Sequence, residues 1–554
     1  MINVSNLSLW FHEDNDKPII SNLSFQLDRG ETMLLLGPSG SGKSTLTHCL
    51  NGIYPRELDG KMTGDVTIFG QSIHDAHPGT ISKQVGVVFQ DPESQFCMLT
   101  VEDEIAFGLE NICTPPLEIA RKIDEVLQMV DLMDDKHSII SSLSGGQKQK
   151  LALACVLALE PEILILDEPT ANLDPQATKE FIKTIQTIKQ KKSMGIIVIE
   201  HQLEGWVSFI DRSFILSKDG KCMYDGPLAR IISDNKESVL EEGICLPKIT
   251  KLVLTAAEQN KAAYISPPLT IKDTPSLVTY MDNSFLEKTI PAAHQADIIL
   301  SASRVTQNKK QKRVLHQIDF DLYESSFVAI IGANGSGKTS LTKVLSGIEA
   351  PTHGDILLRQ HPIRNWKEKL LRKEIGYVFQ NPEHQFITDT VFDEIAYSLR
   401  LHPYSESYIE EKVHYTLVNC QLQGFEHRHP YSLSQGQKRR LSVATMIVDE
   451  QKILFLDEPT FGQDAASTLK LMQMLKERHA KGTSIIMVTH DMDIVDKYAD
   501  RVLVLENGEI IRDQSPDQLW KDSDLQRWHL DYPTRIQLQQ HLEVNQHDFA
   551  IKST

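Results

Sequence analysis

Thr32-Met33-Leu34-Leu35-Leu36-Gly37-Pro38-Ser39-Gly40-Ser41-Gly42-Lys43-Ser44 and Phe327-Val328-Ala329-Ile330-Ile331-Gly332-Ala333-Asn334-Gly335-Ser336-Gly337-Lys338-Thr339 are two copies of one design. Each is a short run, apolar on both faces, followed by G-x-x-x-x-G-K-[ST]. Such a run reads as a strand of a parallel sheet covered on both sides. The glycines let successive backbone N–H groups face an anion, and the helix that follows points its positive end the same way. The stretch therefore sets the fold class, α/β, and places phosphate chemistry at a strand end.

Four further motifs repeat behind these loops. Lys43 and Lys338 lie 295 residues apart; Gln90 and Gln380, Ser144 and Ser434, and Asp167 and Asp457 each lie 290 apart; His201 and His490 lie 289 apart. One unit has been duplicated. Apolar runs Ile163 to Leu166 and Gly195 to Ile199 precede Asp167 and His201, with counterparts Ile453 to Leu456 and Ser484 to Val488. Residues 101–136 and 391–428 are helix-prone and read as a helical subdomain inserted into each sheet domain. The expected organisation is a first domain over 1–258, a Pro-containing linker over 259–295 that is partly ordered, a second domain over 296–540, and a polar, mobile tail over 541–554.

The 554-residue length suits two cores. A formal net charge of −18 and a pI near 5.6 argue against a surface built to neutralise nucleic acid. Seven cysteines with no C-x-x-C pair indicate reduced, intracellular usage and not a disulfide framework. No apolar run is long enough to cross a bilayer, and the N-terminus has neither the basic region nor the apolar core of a secretory signal. The expected location is the cytoplasm. His74, His77, His427 and His429 lack the neighbours of a metal site and read as surface residues.

The motifs assign roles by chemistry. Gly37, Pro38, Ser39, Gly40, Ser41 and Gly42, with Gly332, Ala333, Asn334, Gly335, Ser336 and Gly337, form the cradles, and Thr45 and Ser340 continue them. Lys43 and Lys338 add a point charge toward β and γ phosphates, while Ser44 and Thr339 suit a magnesium ion. Asp167 and Asp457, carboxylates at apolar strand ends, belong with the same ion. Glu168 and Glu458 suit polarisation of an attacking water. Gln90 and Gln380 can reach the ion or the water, and His201 and His490 a γ phosphate.

This motif order, with Leu143-Ser144-Gly145-Gly146-Gln147, Leu164-Ile165-Leu166-Asp167-Glu168-Pro169-Thr170 and Asn172-Leu173-Asp174, resembles the ATP-binding-cassette ATPases. The second half repeats it with Leu433-Ser434-Gln435-Gly436-Gln437 and Leu454-Phe455-Leu456-Asp457-Glu458-Pro459-Thr460. The resemblance implies two tandem P-loop cassettes, ATP and Mg2+ as cofactors, and head-to-tail pairing of the cassettes within one chain. Ser434 and Gly436 would then complete the first site, and Ser144 and Gly146 the second. The second copy departs at Gln435 and at Phe461-Gly462-Gln463-Asp464, so the two sites are expected to be unequal. Phe11 stands where the family stacks an aromatic on adenine; counting back the same 26 residues from the second loop reaches Thr306, which cannot stack.

Phe89-Gln90-Asp91-Pro92-Glu93-Ser94-Gln95-Phe96, Phe379-Gln380-Asn381-Pro382-Glu383-His384-Gln385-Phe386 and Glu200-His201-Gln202-Leu203-Glu204 resemble the ATPases of energy-coupling factor importers of vitamins, vitamin precursors, cobalt or nickel. The fused pair of unlike cassettes is similar to those assigned to hydroxymethylpyrimidine or thiamine. The resemblance implies a transmembrane coupling protein and a small substrate-binding membrane protein as partners, and a peripheral position on the cytoplasmic face of the membrane. Residues near Gln95, Phe96, Gln385 and Phe386 are the candidates for the coupling groove, with internal packing of these aromatic and Gln residues as the alternative. The alternatives are the ATPase of another importer or exporter and a soluble ribosome-associated tandem cassette. The latter fits poorly with a neutral, Pro-containing linker.

Overall fold

The computed structural model describes residues 1–11, 17–38, 40–54, 56, 60–171, 173–260, 266–274, 297–309, 312–460, 463, 465–522, 524–528 and 530–552. Two compact units divide the chain, Met1–Asp282 and Asn283–Thr554. Of the residues singled out above, Ser39, Asn172, Phe461, Gly462, Asp464 and most of the 259–295 linker lie outside the described residues.

Each unit is built on a six-stranded sheet. In the first unit its order is Cys222–Gly226, Arg212–Leu216, Thr32–Leu36, Gly195–Ile199, Ile163–Asp167, Val85–Val88, all parallel except the antiparallel edge Cys222–Gly226. The second unit repeats it as Glu509–Gln514, Arg501–Glu506, Phe327–Ile331, Ser484–Val488, Ile453–Asp457, Ile375–Val378. The central strands are buried throughout, and their alternation serves two cores. Leu34, Leu36, Leu164 and Leu166 face the helices, while Met33, Leu35, Ile163 and Ile165 face a four-stranded antiparallel sheet that opens the unit. This is why the runs are apolar without interruption. Each such side chain contributes about 1.5–3 kcal/mol by leaving water, and every strand end is held in place by both layers.

The antiparallel sheets carry their own register marker. Asn6 in the first and Arg304 in the second sit at positive φ, 53° and 47°, in the bulge where the first strand pairs with Lys61–Ile68 or His353–Leu358. Gly64 and Gly354 face these residues so closely that a Cβ would lie 2.3 Å and 2.4 Å from their carbonyl oxygens. Only glycine fits there.

The inserted helical subdomains form as their sequence patterns predict. Val101–Asn111 starts at Thr100, whose hydroxyl accepts the Asp103 N–H, and Val391–Arg400 starts at Thr390 in the same way. Pro116–Met129 and Glu406–Asn419 pack beside them. In the linker, residues 266–274 lie on the first unit, with Pro267 and Pro268 buried and Leu269 against its core. The final helix, Thr534–Lys552, extends through most of the polar tail, continuing turns anchored by buried Leu538 and Leu542. His77 and His429 cap short helices, their Nδ1 atoms accepting the Gly79 and Tyr431 N–H groups at 3.1 and 3.2 Å.

Candidate functional site

The phosphate loops leave the sheet beside the topological switch, between neighbouring strands whose connections run in opposite directions. Gly40 and Gly42 have φ of 83° and 90°, Gly335 and Gly337 of 79° and 105°. These conformations turn the loop tightly enough to start the helices Lys43–Leu50 and Lys338–Leu345 on the strand's axis. Lys43 Nζ donates to the carbonyls of Gly37 and Pro38 at 2.8 and 3.0 Å, and Lys338 Nζ to those of Gly332 and Ala333 at 2.8 and 2.9 Å. Both ammonium groups are thereby pinned across the loop.

The acidic pairs end the strands Ile163–Asp167 and Ile453–Asp457. Glu168 and Glu458 take positive φ, 47° and 51°. For a residue with a side chain this conformation costs about 1–3 kcal/mol and marks a functional position. It is enforced by one further ladder bond each, Glu168 N–H to the Ile199 carbonyl at 2.9 Å and Glu458 N–H to that of Val488 at 3.0 Å. The kink brings each glutamate to its histidine: His201 Nε2 lies 3.0 Å from Glu168 Oε1, and His490 Nε2 3.0 Å from Glu458 Oε1. Burial works against the Glu168 and Glu458 carboxylates, but the histidine and phosphate-loop lysine of each site outweigh it and hold both pKa values low.

Asp167 behaves differently. Burial first, then repulsion from Glu168, pushes its pKa up to about 6 against the pull of Ser44, Lys43 and His201. Asp457 is raised for the same reasons, opposed by Thr339, Lys338 and Arg439. Both Asp457 oxygens are buried without a hydrogen-bond partner among the described residues. A buried carboxylate short of donors, next to a hydroxyl, is a donor set that a hard divalent cation satisfies. Magnesium fits.

The Leu-Ser-x-Gly-Gln elements are helix N-termini. Ser144 and Gln147 form a reciprocal capping box at the start of Gly145–Ala158, and Ser434 and Gln437 one at the start of Gln435–Ile447. With the first turn satisfied in this way, the following N–H groups around Gly146 and Gly436 are oriented for an anion.

The structure bears on three of the sequence expectations. The shared bulge pairs Asn6 with Arg304, so the position equivalent to Phe11 is Lys309 and not Thr306. The count of 26 crossed a hairpin that is three residues shorter in the second unit. Thr306 is buried inside its strand, where its hydroxyl accepts the Gln317 N–H at 3.3 Å. Lys309 pairs with Glu349 at 3.2 Å, while Phe11 is 43% exposed.

Gln95, Phe96, Gln385 and Phe386 face inward. Gln95 accepts the Phe89 N–H at 3.2 Å and donates to the Val87 carbonyl at 3.3 Å; Gln385 exchanges bonds with Ser442 at 2.8 Å; both phenylalanines pack on the cores. Their polar groups are spent inside the unit, those of Gln95 on the end of the strand before it and those of Gln385 on the helix Gln435–Ile447. The most exposed apolar side chains nearby are Leu99 and Ile387, at 79% and 65% exposure. Gln90 and Gln380 also part company: Gln90 Nε2 donates to Glu168 Oε2 at 3.0 Å, whereas Gln380 is exposed and makes no such bond to Glu458.

The structure adds residues the motifs did not single out. Gln149 Nε2 donates to the Phe89 carbonyl at 3.4 Å, and at the matching place Arg439 Nη1 donates to that of Phe379 at 2.7 Å. Tyr377, standing where the first unit has Val87, meets the Thr342 hydroxyl at 3.0 Å close to Asp457. Comparing the two halves position by position would have exposed the exchanges, but not what they face.

Two duplicated strand-end sites, each with a pinned lysine, a strained glutamate and a facing histidine, agree with the sequence comparisons. The ABC transporter family model matches residues 20–171 and 315–461. This chain belongs to the ABC transporter family. It is 43% identical over 528 residues to "Putative HMP/thiamine import ATP-binding protein YkoD" of Bacillus subtilis (strain 168), covering 94% of this chain and 92% of that one. It is 34% identical over 513 residues to a "Putative ABC transporter ATP-binding protein" of Methanosarcina mazei, covering 90% and 86%. Among solved structures, cbiO1 of Clostridium perfringens, part of the ABC transporter complex cbiONQ, is 32% identical over 42% of this chain and 94% of its own, with a TM-score of 0.37. The chain is thus a tandem ABC ATPase that binds and hydrolyses ATP. Among the described residues, no helix is long and apolar enough to cross a membrane.

Proposed function

We propose that the chain is the ATPase of an energy-coupling-factor importer and that hydroxymethylpyrimidine or thiamine is its cargo. The observation that carries this reading is the 43% identity, end to end, with a relative named for HMP/thiamine import. The repeated Gln-loop segments support the transporter type. Lys43 and Lys338 neutralise β and γ phosphates held by the loop amides, and Ser144, Gly146, Ser434 and Gly436 take phosphate oxygens at their helix N-termini. Glu168 and Glu458 polarise the attacking water, while His201 and His490 fix those carboxylates and reach the γ phosphate. Ser44, Gln90 and Asp167, and Thr339, Gln380 and Asp457, would hold Mg2+, which when bound neutralises charge developing on the phosphates. Phe11 stacks on adenine in the first cassette.

The membrane partners are a polytopic coupling protein and a small substrate-binding protein, met from the cytoplasmic face. Leu99 and Ile387, exposed directly beyond the Gln loops, are the apolar contacts offered to the coupling protein. The test is uptake of labelled hydroxymethylpyrimidine into proteoliposomes that hold the complex purified through this chain from gently solubilised membranes. ATP-dependent accumulation, lost with Leu99→Asp and Ile387→Asp while the free chain still hydrolyses ATP, is the expected result. A chain that purifies with ribosomes and no membrane partner overturns the reading.

A further inference from the structure

Glu200, inside the Ile199-Glu200-His201-Gln202 segment, has no role in the function described so far. Its side chain is 3% exposed, a depth at which a carboxyl group must find donors. Three meet it. Oε1 accepts the Thr170 backbone N–H at 3.0 Å and the Thr170 hydroxyl at 2.5 Å; Oε2 accepts the His201 backbone N–H at 3.2 Å. The two oxygens therefore tie together the ends of two neighbouring strands. Thr170 closes the Asp167-Glu168-Pro169-Thr170 segment, and His201 is the residue whose ring lies 3.0 Å from Glu168.

The second cassette is built otherwise. Thr489 stands in place of Glu200, and its hydroxyl accepts the Asp491 N–H at 3.1 Å within its own turn. The His490–Glu458 contact has the same length as its counterpart but no carboxyl bridge behind it.

We propose that Glu200 is a positioning residue of the first cassette, a carboxylate bridge that joins His201 and the Glu168-Pro169-Thr170 segment into one rigid piece and so holds the His201–Glu168 contact during turnover. The bridge is specific to that cassette. It rests on the reading of Glu168 and His201 as the hydrolytic pair of the first site. The titratable groups facing Glu200 are Glu168 and His201; burial above all, then Glu168, pushes its pKa up to about 7 against the bonds from Thr170 and the charge of His201.

The test uses the full chain carrying Glu458→Gln, in which turnover reports on the first site. Glu200→Gln keeps the volume and one acceptor for Thr170 but places an amide NH2, which cannot accept, against the His201 N–H. We expect kcat to fall about tenfold with KM for ATP within about twofold, the pattern of a misplaced group and not of lost binding. Thr170→Val, a buried change of nearly equal shape, should lower kcat by about threefold, and the double variant should be no slower than Glu200→Gln alone, because both cut one bridge. Unchanged kcat in Glu200→Gln, a loss carried mainly by KM, or rate losses that multiply in the double variant would each overturn the bridge. If Glu168→Gln leaves hydrolysis undiminished in the same background, it is the site assignment that fails.

Discussion

In both cassettes the carbonyl of the phenylalanine before the Gln loop is held by a side chain of the signature helix, a neutral amide at 3.4 Å in the first and a guanidinium at 2.7 Å in the second. Similar exchanges surround it: Val87 against Tyr377, Glu200 against Thr489, and Gln90 bonded to Glu168 where Gln380 is exposed. The lysine, glutamate and histidine proposed to act in each site do not differ. Both lysines pin the same two carbonyls, both glutamates sit at positive φ, and both histidines stand 3.0 Å away. Divergence after duplication has changed the surroundings of the sites while preserving the placement of lysine, glutamate and histidine. Arg439 is buried, which pulls its pKa down to about 10 and leaves it charged at neutral pH. Its charge joins His490 and Lys338 in holding Glu458 low. A cation beside Glu458 that Glu168 lacks weakens that carboxylate as a base, and it opposes a second cation at Asp457. The second site should be the slower.

Removing the bases tests this most severely. Glu168→Gln with Glu458→Gln should bind ATP yet lose turnover by about 10²-fold or more. The single variants sharpen the comparison: Glu168→Gln should leave less activity than Glu458→Gln, because only the slower site survives in it. Equal residual rates in steady-state assays would show that the surrounding exchanges do not matter, and undiminished hydrolysis in the double variant would remove both glutamates from the mechanism.

The motifs made the parallel α/β core and the strand-end placement of the proposed reacting residues legible, because a phosphate loop, a strand-end acid pair and a strand-end histidine each need a fixed backbone setting. What the sequence hid depends on packing. The register of Phe11 was lost because a residue count crosses a hairpin of unequal length; the marker that survives it is the Asn6–Gly64 and Arg304–Gly354 contact. Gln95 and Gln385 carry amides that suit a surface equally well, and only the folded loop shows them bonded inward. Arg439 was visible as a charge in a helix, but that it lies buried beside an acid pair is a fact of three dimensions.

The aromatic difference predicts an effect on affinity. Phe11→Ala should weaken nucleotide binding at the first phosphate loop by about 1–3 kcal/mol, the range for a base stacked on an aromatic ring. Lys309→Ala should change the second by much less, since Lys309 is paired with Glu349 and offers no ring face. Site-resolved crosslinking of a photoreactive ATP analogue measures both. Equal losses at the two loops on Phe11→Ala would mean that the ring acts through the fold and not on the base.

The smallest expected effect isolates the charge of Arg439. Arg439→Gln installs the residue of the first cassette, which can still donate to the Phe379 carbonyl as Gln149 does to that of Phe89, so the loop stays tethered while the cation goes. Without that cation the depressed pKa of Glu458 rises. The carboxylate is then lost at a higher pH as the solution is acidified, and the acid limb of the rate, read in a Glu168→Gln background, moves upward. Above the limb a more basic Glu458 should hydrolyse about two- to threefold faster, and half-saturation by Mg2+ should fall by a similar factor because Asp457 no longer shares its field with a fixed charge. An unmoved limb together with unchanged Mg2+ dependence would reduce Arg439 to its hydrogen bond, and the inequality of the two cassettes would have to come from Tyr377 or from the missing carboxylate at Thr489.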